Sequence, residues 1–353
     1  MSSKIERIKA LLETVTDEAT KIVGPTWWKK YTQYNLNQYP TDMPETAVEV
    51  NTSGDLDTHW ILRWQDPKTK AWKYGYTKGF MDAKKAEKYA RTSTINPARV
   101  KAAPAVAARI FTSKADDRRK QAAAILSIIA QTGLRIGDEG EYRKTKNRGV
   151  STLASDNITV NGRKIHFDFT GKSGMHNVAD IEDGPLASYL QSKVAARSGE
   201  EFVFDVPYYI IKEVQDSIMK LGNFKIKDLR THMAAETAKE VLNSDHMPPP
   251  PLPKDPKAIK KAVKAKLTHV FDVVSKKLNN TPAMAKNSYI NPAIINDWLS
   301  KIGVQPELNS SVGVPYKDAI DEEEMVGFDG EVPVYKLPSW WDREDIELVP
   351  TGE

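Results

Sequence analysis

Five residues carry the chemistry of this sequence, in the order Arg135, Lys172, Arg230, Asn280 and Tyr289. They lie in Thr132-Gly133-Leu134-Arg135-Ile136-Gly137, Thr170-Gly171-Lys172, Lys227-Asp228-Leu229-Arg230-Thr231, Leu278-Asn279-Asn280-Thr281-Pro282 and Ser288-Tyr289-Ile290-Asn291-Pro292. A nucleophilic phenol with three cations and a neutral amide can open a phosphodiester without a metal. The reaction passes through five-coordinate phosphorus with added negative charge, which fixed cations in a closed site neutralise. Guanidinium suits that task because its planar fork bonds two phosphate oxygens and it never deprotonates. Each residue alone has a plainer explanation. Arg135 at a helix end can answer the helix dipole. Lys172 in a Gly-Lys-Ser-Gly turn can be solvated, Arg230 can pair with Asp228, and Asn280 before Thr-Pro can make a turn. The ordered set is what these separate explanations do not reproduce.

The elements that must position these residues are readable from periodicity. Residues 1 to about 24 read as a helix with Ile5, Ile8, Leu11, Leu12 and Val15 at helical spacing. Residues 45 to 80 read as strands, alternating at Ala47-Val48-Glu49-Val50 and at Trp60 to Trp64, with Trp72 to Tyr76 as a partner after turn residues. A helix from Asp82 to Ala90 precedes an expected linker, Thr92 to Pro104. Asp116 to Thr132 reads as a long buried helix ended by Gly133. Asn161-Gly162 reads as a two-residue hairpin turn between strands 158–160 and 164–169. A second turn, Gly171-Lys172-Ser173-Gly174, leads into 177–181 and puts Lys172 at a hairpin tip of a three-stranded sheet. Helices are expected at 184–195, 207–221, 226–243, 257–277 and up to about Ile302, with a proline-rich loop at Met247 to Pro256. The domains so drawn are 1–95, 105–305 and an acidic tail 306–353. The fold class is α+β: a small antiparallel β-rich N-terminal domain, then a mostly helical domain carrying a three-stranded sheet.

Composition narrows the function. The chain of 353 residues has no cysteine, which excludes thiolate metal sites and cysteine nucleophiles. Its six histidines show no ligand spacing. Gly-Lys-Ser at 171–173 is no nucleotide loop, because His166 stands where glycine is required. No apolar run reaches the roughly 18 residues of a membrane span, and Met1 to Leu12 has no signal-peptide core. These features point to a cytoplasmic, nucleoid or virus-associated protein. The net charge of +4 conceals a polarity. Twelve acids against two bases give residues 318–353 a charge of −10, which leaves +14 on residues 1–317. A basic body is the footprint of a nucleic-acid binder, so a nucleic acid is the expected partner. The acidic tail is expected to aid solubility or contact itself or another protein.

With Gly149-Val150-Ser151-Thr152-Leu153 added, these motifs resemble the type IB DNA topoisomerases of the compact poxvirus and bacterial kind. The resemblance covers roughly residues 120 to 300. It implies a DNA breaking-rejoining enzyme fold that clamps duplex DNA as a monomer, nicks one strand and relaxes supercoils without ATP, metal or another cofactor. It implies Tyr289 as nucleophile on the 3′ phosphate, Arg135 and Arg230 on the transition-state charge, and Lys172 as general acid to the leaving 5′ oxygen. Lys227 would be a second proton donor, and Asn280, where the family often has histidine, would donate an amide to a non-bridging oxygen. Tyr74, Tyr76 and Tyr142 are candidate DNA contacts, the first two because Lys73-Tyr74-Gly75-Tyr76 is similar to the family's aromatic DNA-touching strand. The tail after about residue 306 has no counterpart in the resemblance. The rival reading is a tyrosine site-specific recombinase or integrase, which uses a similar pocket. Recombinases usually place histidine three residues before the second arginine, whereas this chain has Lys227.

Overall fold

The computed structural model describes residues 27–40, 43–51, 60–67, 70, 72–244 and 256–304. The expected helix at 1–24, the acidic tail and nearly all of the proline-rich loop lie outside these residues. The described residues before Tyr89 belong to one compact unit and those from Tyr89 to another.

In the first unit, β1 (Val48–Val50), β2 (Leu62–Gln65) and β3 (Trp72–Gly75) form an antiparallel sheet in the order β1-β2-β3. Val48 pairs with Trp64, and Leu62 with Gly75. The alternation read from Trp60 to Trp64 sets the two faces: Leu62 and Trp64 are buried, while Arg63 between them is not. Tyr31, Leu36 and Ile61 complete this small core. Helix α1 (Lys78–Ser93) follows, longer at both ends than the sequence pattern indicated.

The second unit has two connected parts. The first centres on α3 (Asp117–Thr132), buried from Gln121 through Ile129. A helix apolar all round belongs inside a fold. Asp116 caps its N-terminus by accepting from the Arg119 amide at 3.0 Å. Gly133 closes it at φ 67°, and a Cβ there would lie 2.7 Å from Met233 Sδ. Packed on α3 is α2 (Pro97–Thr112), which replaces most of the linker expected at Thr92 to Pro104. The reason is local. Asn96 Oδ1 accepts from the Ala98 and Arg99 amides, and Pro97 occupies the first turn, where its missing N–H costs nothing. Proline began a helix here instead of marking a linker.

After α4 (Glu139–Thr145), which periodicity did not reveal, comes the sheet β4 (Ile158–Asn161), β5 (Lys164–Thr170) and β6 (His176–Glu182), antiparallel in that order. Asn161 pairs with Lys164, so the loop residues are Gly162-Arg163, one later than the Asn-Gly reading. Gly162 at φ 60° in the first loop position is the requirement of a type II′ turn. Helix α5 (Gly184–Ala195) matches its expected span. Helix α6 (Tyr208–Glu213) passes into a π-helical turn, Val214–Ile218.

The second part is α7 (Asp228–Asn243), α8 (Pro256–Lys277), the short α9 (Pro282–Met284), a π-helical turn Ala285–Tyr289 and α10 (Pro292–Lys301). Its core runs from Ala234 and Ala238 through Val263, Leu267, Val270 and Val274 to Trp298 and Leu299. Among the described residues the protein is thus mostly helical with two small antiparallel sheets, the expected α+β class. Among the described residues no helix is long and apolar enough to cross a membrane.

Candidate active site

The site forms where the end of α3, the start of α7 and the π turn before α10 meet. Past Gly133 the chain cannot continue as helix, and Arg135 to Gly137 runs beside residues 149–151. The Val150 amide donates to Arg135 O at 2.8 Å and the Ser151 amide to Ile136 O at 2.6 Å. Gly149 makes that approach feasible, since a Cβ there would sit 2.4 Å from the Gly137 nitrogen. The 149–153 motif therefore braces the backbone that presents Arg135.

Arg230 enters from the first turn of α7 and is 4% exposed. Its Nη1 donates to Gly133 O at 2.7 Å and its Nη2 to Leu278 O. The guanidinium thus ties the end of α3 to the end of α8. Its Nε is buried without a hydrogen-bonding partner. Burial holds its pKa below the usual guanidinium value, with Tyr289 opposing and Arg135 reinforcing that shift. The suspected pairing with Asp228 does not form. Asp228, fully buried, takes Arg91 Nε at 2.6 Å and the Lys225 amide at 3.2 Å.

Tyr289 closes the cluster. The Ile290 amide bonds to Ala285 O at 3.0 Å, five residues back, which widens the helix by one residue before Tyr289. Asn291 then caps α10 through the Ala293 amide. The ring, 8% exposed, has its centroid 5.2 Å from the Arg230 guanidinium carbon and 6.0 Å from that of Arg135. Arg135 Nη2 donates to the phenolic oxygen at 2.7 Å. The hydroxyl is thus held by one guanidinium and its ring flanked by a second.

Asn280 follows Leu278 by two residues. Its side-chain Oδ1 and Nδ2 are both buried without partners. A buried amide left without partners costs roughly 1–3 kcal/mol, and both of its polar atoms are open to a partner from outside the chain. Lys172 and Lys227 are not drawn into the cluster. Lys172 is exposed in the turn between β5 and β6, as its hairpin-tip position implied, and Lys227 is exposed just before α7. The Lys172 turn contains Ser173 at φ 64° and Gly174 at φ 71°. Across its base, Asn279 Nδ2 donates to Val178 O at 3.0 Å.

Tyr142 is 7% exposed, and its hydroxyl bonds to Glu200 and Arg148. In the first unit Tyr74 and Tyr76 are half-buried, and their rings lie 6.0 Å apart at 24°. Phe80 continues the row 5.1 Å from Tyr76, and Arg63 lies 4.8 Å from Trp60 and 4.9 Å from Trp72. Sequence reasoning missed Arg148, Glu200 and the Arg91–Asp228 pair. Their roles arise between segments far apart in the chain, so no local spacing announces them. Among the described residues no cluster of three or more His, Asp and Glu could hold a metal ion.

The fold is α+β, and its site brings one tyrosine beside two arginines. Comparison narrows this: residues 77–305 match the family model described as eukaryotic DNA topoisomerase I, catalytic core. The chain belongs to that family. Over 206 residues it is 31% identical to DNA topoisomerase 1 alpha of Arabidopsis thaliana, covering 54% of this chain and 21% of that one. Over 182 residues it is 25% identical to DNA topoisomerase 1B of Acanthamoeba polyphaga mimivirus, covering 47% of this chain and 51% of that one. The matches thus span about a fifth of the plant protein and about half of the viral one.

Proposed function

We propose that this chain is a type IB topoisomerase of the compact poxvirus and bacterial kind, acting as a monomer on supercoiled duplex DNA. The observation that carries the reading is the Arg135 Nη2 to Tyr289 hydroxyl bond of 2.7 Å, beside the buried Arg230. The family match favours this reading over the recombinase.

In the proposed mechanism the Tyr289 oxygen attacks a backbone phosphorus and gives up its proton to water. An O–P bond forms to tyrosine, and the bond to the 5′ oxygen breaks. Arg135 and Arg230 hold the non-bridging oxygens as their charge grows, each worth about 2.7–4 kcal/mol by analogy with an oxyanion-hole donor. Asn280 donates its unused amide to the same oxygens. Lys172 reaches in from its turn and protonates the leaving 5′ oxygen, with Lys227 as a second donor. The strand is left with a 3′-phosphotyrosyl bond and a free 5′ hydroxyl. Because that linkage conserves the phosphodiester's energy, resealing needs no ATP. Rotation of the free end before resealing relaxes the duplex. Tyr74 and Tyr76 contact DNA from the first unit, and Tyr142 from the second.

The test is relaxation of supercoiled plasmid in chelator without ATP, beside Tyr289→Phe. Relaxation by the parent and none by the variant supports the reading. A parent that binds plasmid but leaves its supercoiling unchanged removes it.

A further inference from the structure

A cleft of about 700 Å³ in the second unit is lined by Tyr142, Lys146, Arg148, Thr170, Glu200 and Phe202, among others. Only Tyr142 among these six has a place in the mechanism above, as a contact. Arg148 forms its floor. The side chain is 9% exposed, Nη1 donates to Thr152 O at 2.7 Å, and the guanidinium carbon lies 4.5 Å from the Tyr142 ring centroid. Its Nη2 donates to the Tyr142 hydroxyl at 2.9 Å and to Glu200 Oε2 at 2.6 Å. The Tyr142 hydroxyl donates to the same carboxylate oxygen. The Lys146 ammonium stands 5.1 Å from the same ring.

One carboxylate oxygen therefore sits where a guanidinium and a phenol converge, with an ammonium nearby. The Glu200 side chain that supplies it is itself 81% exposed. A phosphate oxygen carries the same charge and accepts the same bonds. We infer that Glu200 is a displaceable latch on a subsite for a DNA backbone phosphate built from Arg148, Tyr142 and Lys146. In the free protein its carboxylate holds the place that a phosphate of bound duplex takes. The inference rests on the duplex-DNA reading above.

Two features support exchange over a permanent brace. An ion pair whose acid is this exposed is weakly held, so its loss costs little. The acceptors inside the cleft that fix Arg148, Thr152 O and its own amide's bond to Thr170 O at 2.8 Å, do not depend on Glu200. Those bonds also join the subsite to the site. Thr170 precedes the Lys172 turn, and Gly149 packs on Gly137 beside Arg135. A phosphate seated on Arg148 is thereby registered against both segments.

The experiment measures equilibrium binding of the full chain to a short fluorescent duplex by anisotropy. The variants are Glu200→Gln, Glu200→Ala and, as control, Glu201→Gln, which removes an equal charge one residue along. The latch predicts that both Glu200 variants bind roughly two- to five-fold more tightly, the worth of one exposed ion pair, and that Glu201→Gln tightens clearly less. Inorganic phosphate is the second probe, compared with chloride at equal ionic strength. If the subsite takes a backbone phosphate, free phosphate competes for it, and duplex binding weakens beyond the chloride effect by more in the Glu200 variants than in the parent. Saturable phosphate binding by the Glu200 variants that leaves duplex affinity at the chloride value would reassign the subsite to free phosphate and overturn the inference. Equal tightening in all three variants, or none at Glu200, overturns it while leaving the DNA reading intact. A parent chain that fails to bind duplex at low salt overturns the DNA reading, and this inference with it.

Discussion

Arg230→Lys separates the two tasks assigned to one guanidinium. The substitution keeps the charge and removes the fork. Arg230 bonds the carbonyls of Gly133 and Leu278 at once, one at each end of the path that carries Arg135 and Asn280. A lysine ammonium on a shorter reach serves one of them. A hydrogen bond from a charged donor contributes about 1.5–3 kcal/mol, so the variant loses about that much stability. With a urea dependence of about 3 kcal/mol per molar, the upper end of the usual range and suited to a chain of this size, the unfolding midpoint falls by roughly 0.5–1 M. Relaxation should fall further than stability explains, by roughly 10²–10³-fold, the usual cost of one transition-state donor. Urea unfolding and single-turnover plasmid relaxation, run on folded variant well below its midpoint, read the two effects separately. An unchanged midpoint would refute the carbonyl bridge. A lowered midpoint with a rate within about threefold of the parent, some 0.6 kcal/mol of barrier, would refute the catalytic role and leave Arg230 a brace.

Three further outcomes follow from the geometry. Arg91→Met strands the fully buried Asp228 carboxylate and should cost about 3–5 kcal/mol in urea unfolding, with Arg91→Met/Asp228→Asn recovering part of it. Gly149→Ala places a Cβ 2.4 Å from the Gly137 nitrogen and 2.8 Å from Arg135 O; it should slow relaxation more than it lowers the unfolding midpoint, because the backbone that shifts is the one holding Arg135. Burial pushes the His232 pKa below its ordinary value of 6.5, so below that pH the unfolded chain binds a proton that the folded chain refuses. Stability from this group is therefore complete above pH 6.5 and declines as pH falls below it; unfolding midpoints at pH 7.5 and 5.5 should differ less in His232→Gln than in the parent.

Much of the scaffold was legible because it depends on local chemistry. Asp116 and Gly133 bracket α3 as cap residues do, and the Gly-Lys-Ser-Gly turn stands between two strands whose alternation is plain. The chain also declared Arg135, Arg230 and Tyr289 by residue type and order, and the fold brings these three together. Other features were hidden for physical reasons. Thr92 to Pro104 reads as a linker, but Pro97 in the first turn stabilises a helix start, and Asn96 completes the cap. The hairpin slipped by one residue because Gly162, not Asn161, takes the left-handed position. The π turn that sets Tyr289 has no periodic signature of its own. Asp228 stands two residues from Arg230 yet pairs with Arg91, a partner that only the tertiary fold supplies. Lys172 and Lys227 stand exposed and outside the cluster, and their spacing along the chain fixes no distance to Tyr289.

The most direct measurement is the identity of the residue that carries DNA. Plasmid is mixed with the chain, the reaction is stopped with denaturant, and the adduct is digested with nuclease and trypsin for mass spectrometry. The tryptic segment 287–301 contains Tyr289 as its sole tyrosine. The account predicts a nucleotide phosphate on that segment, at the tyrosine oxygen, and none in Tyr289→Phe. Relaxation with that segment unmodified and the adduct on another residue would contradict it.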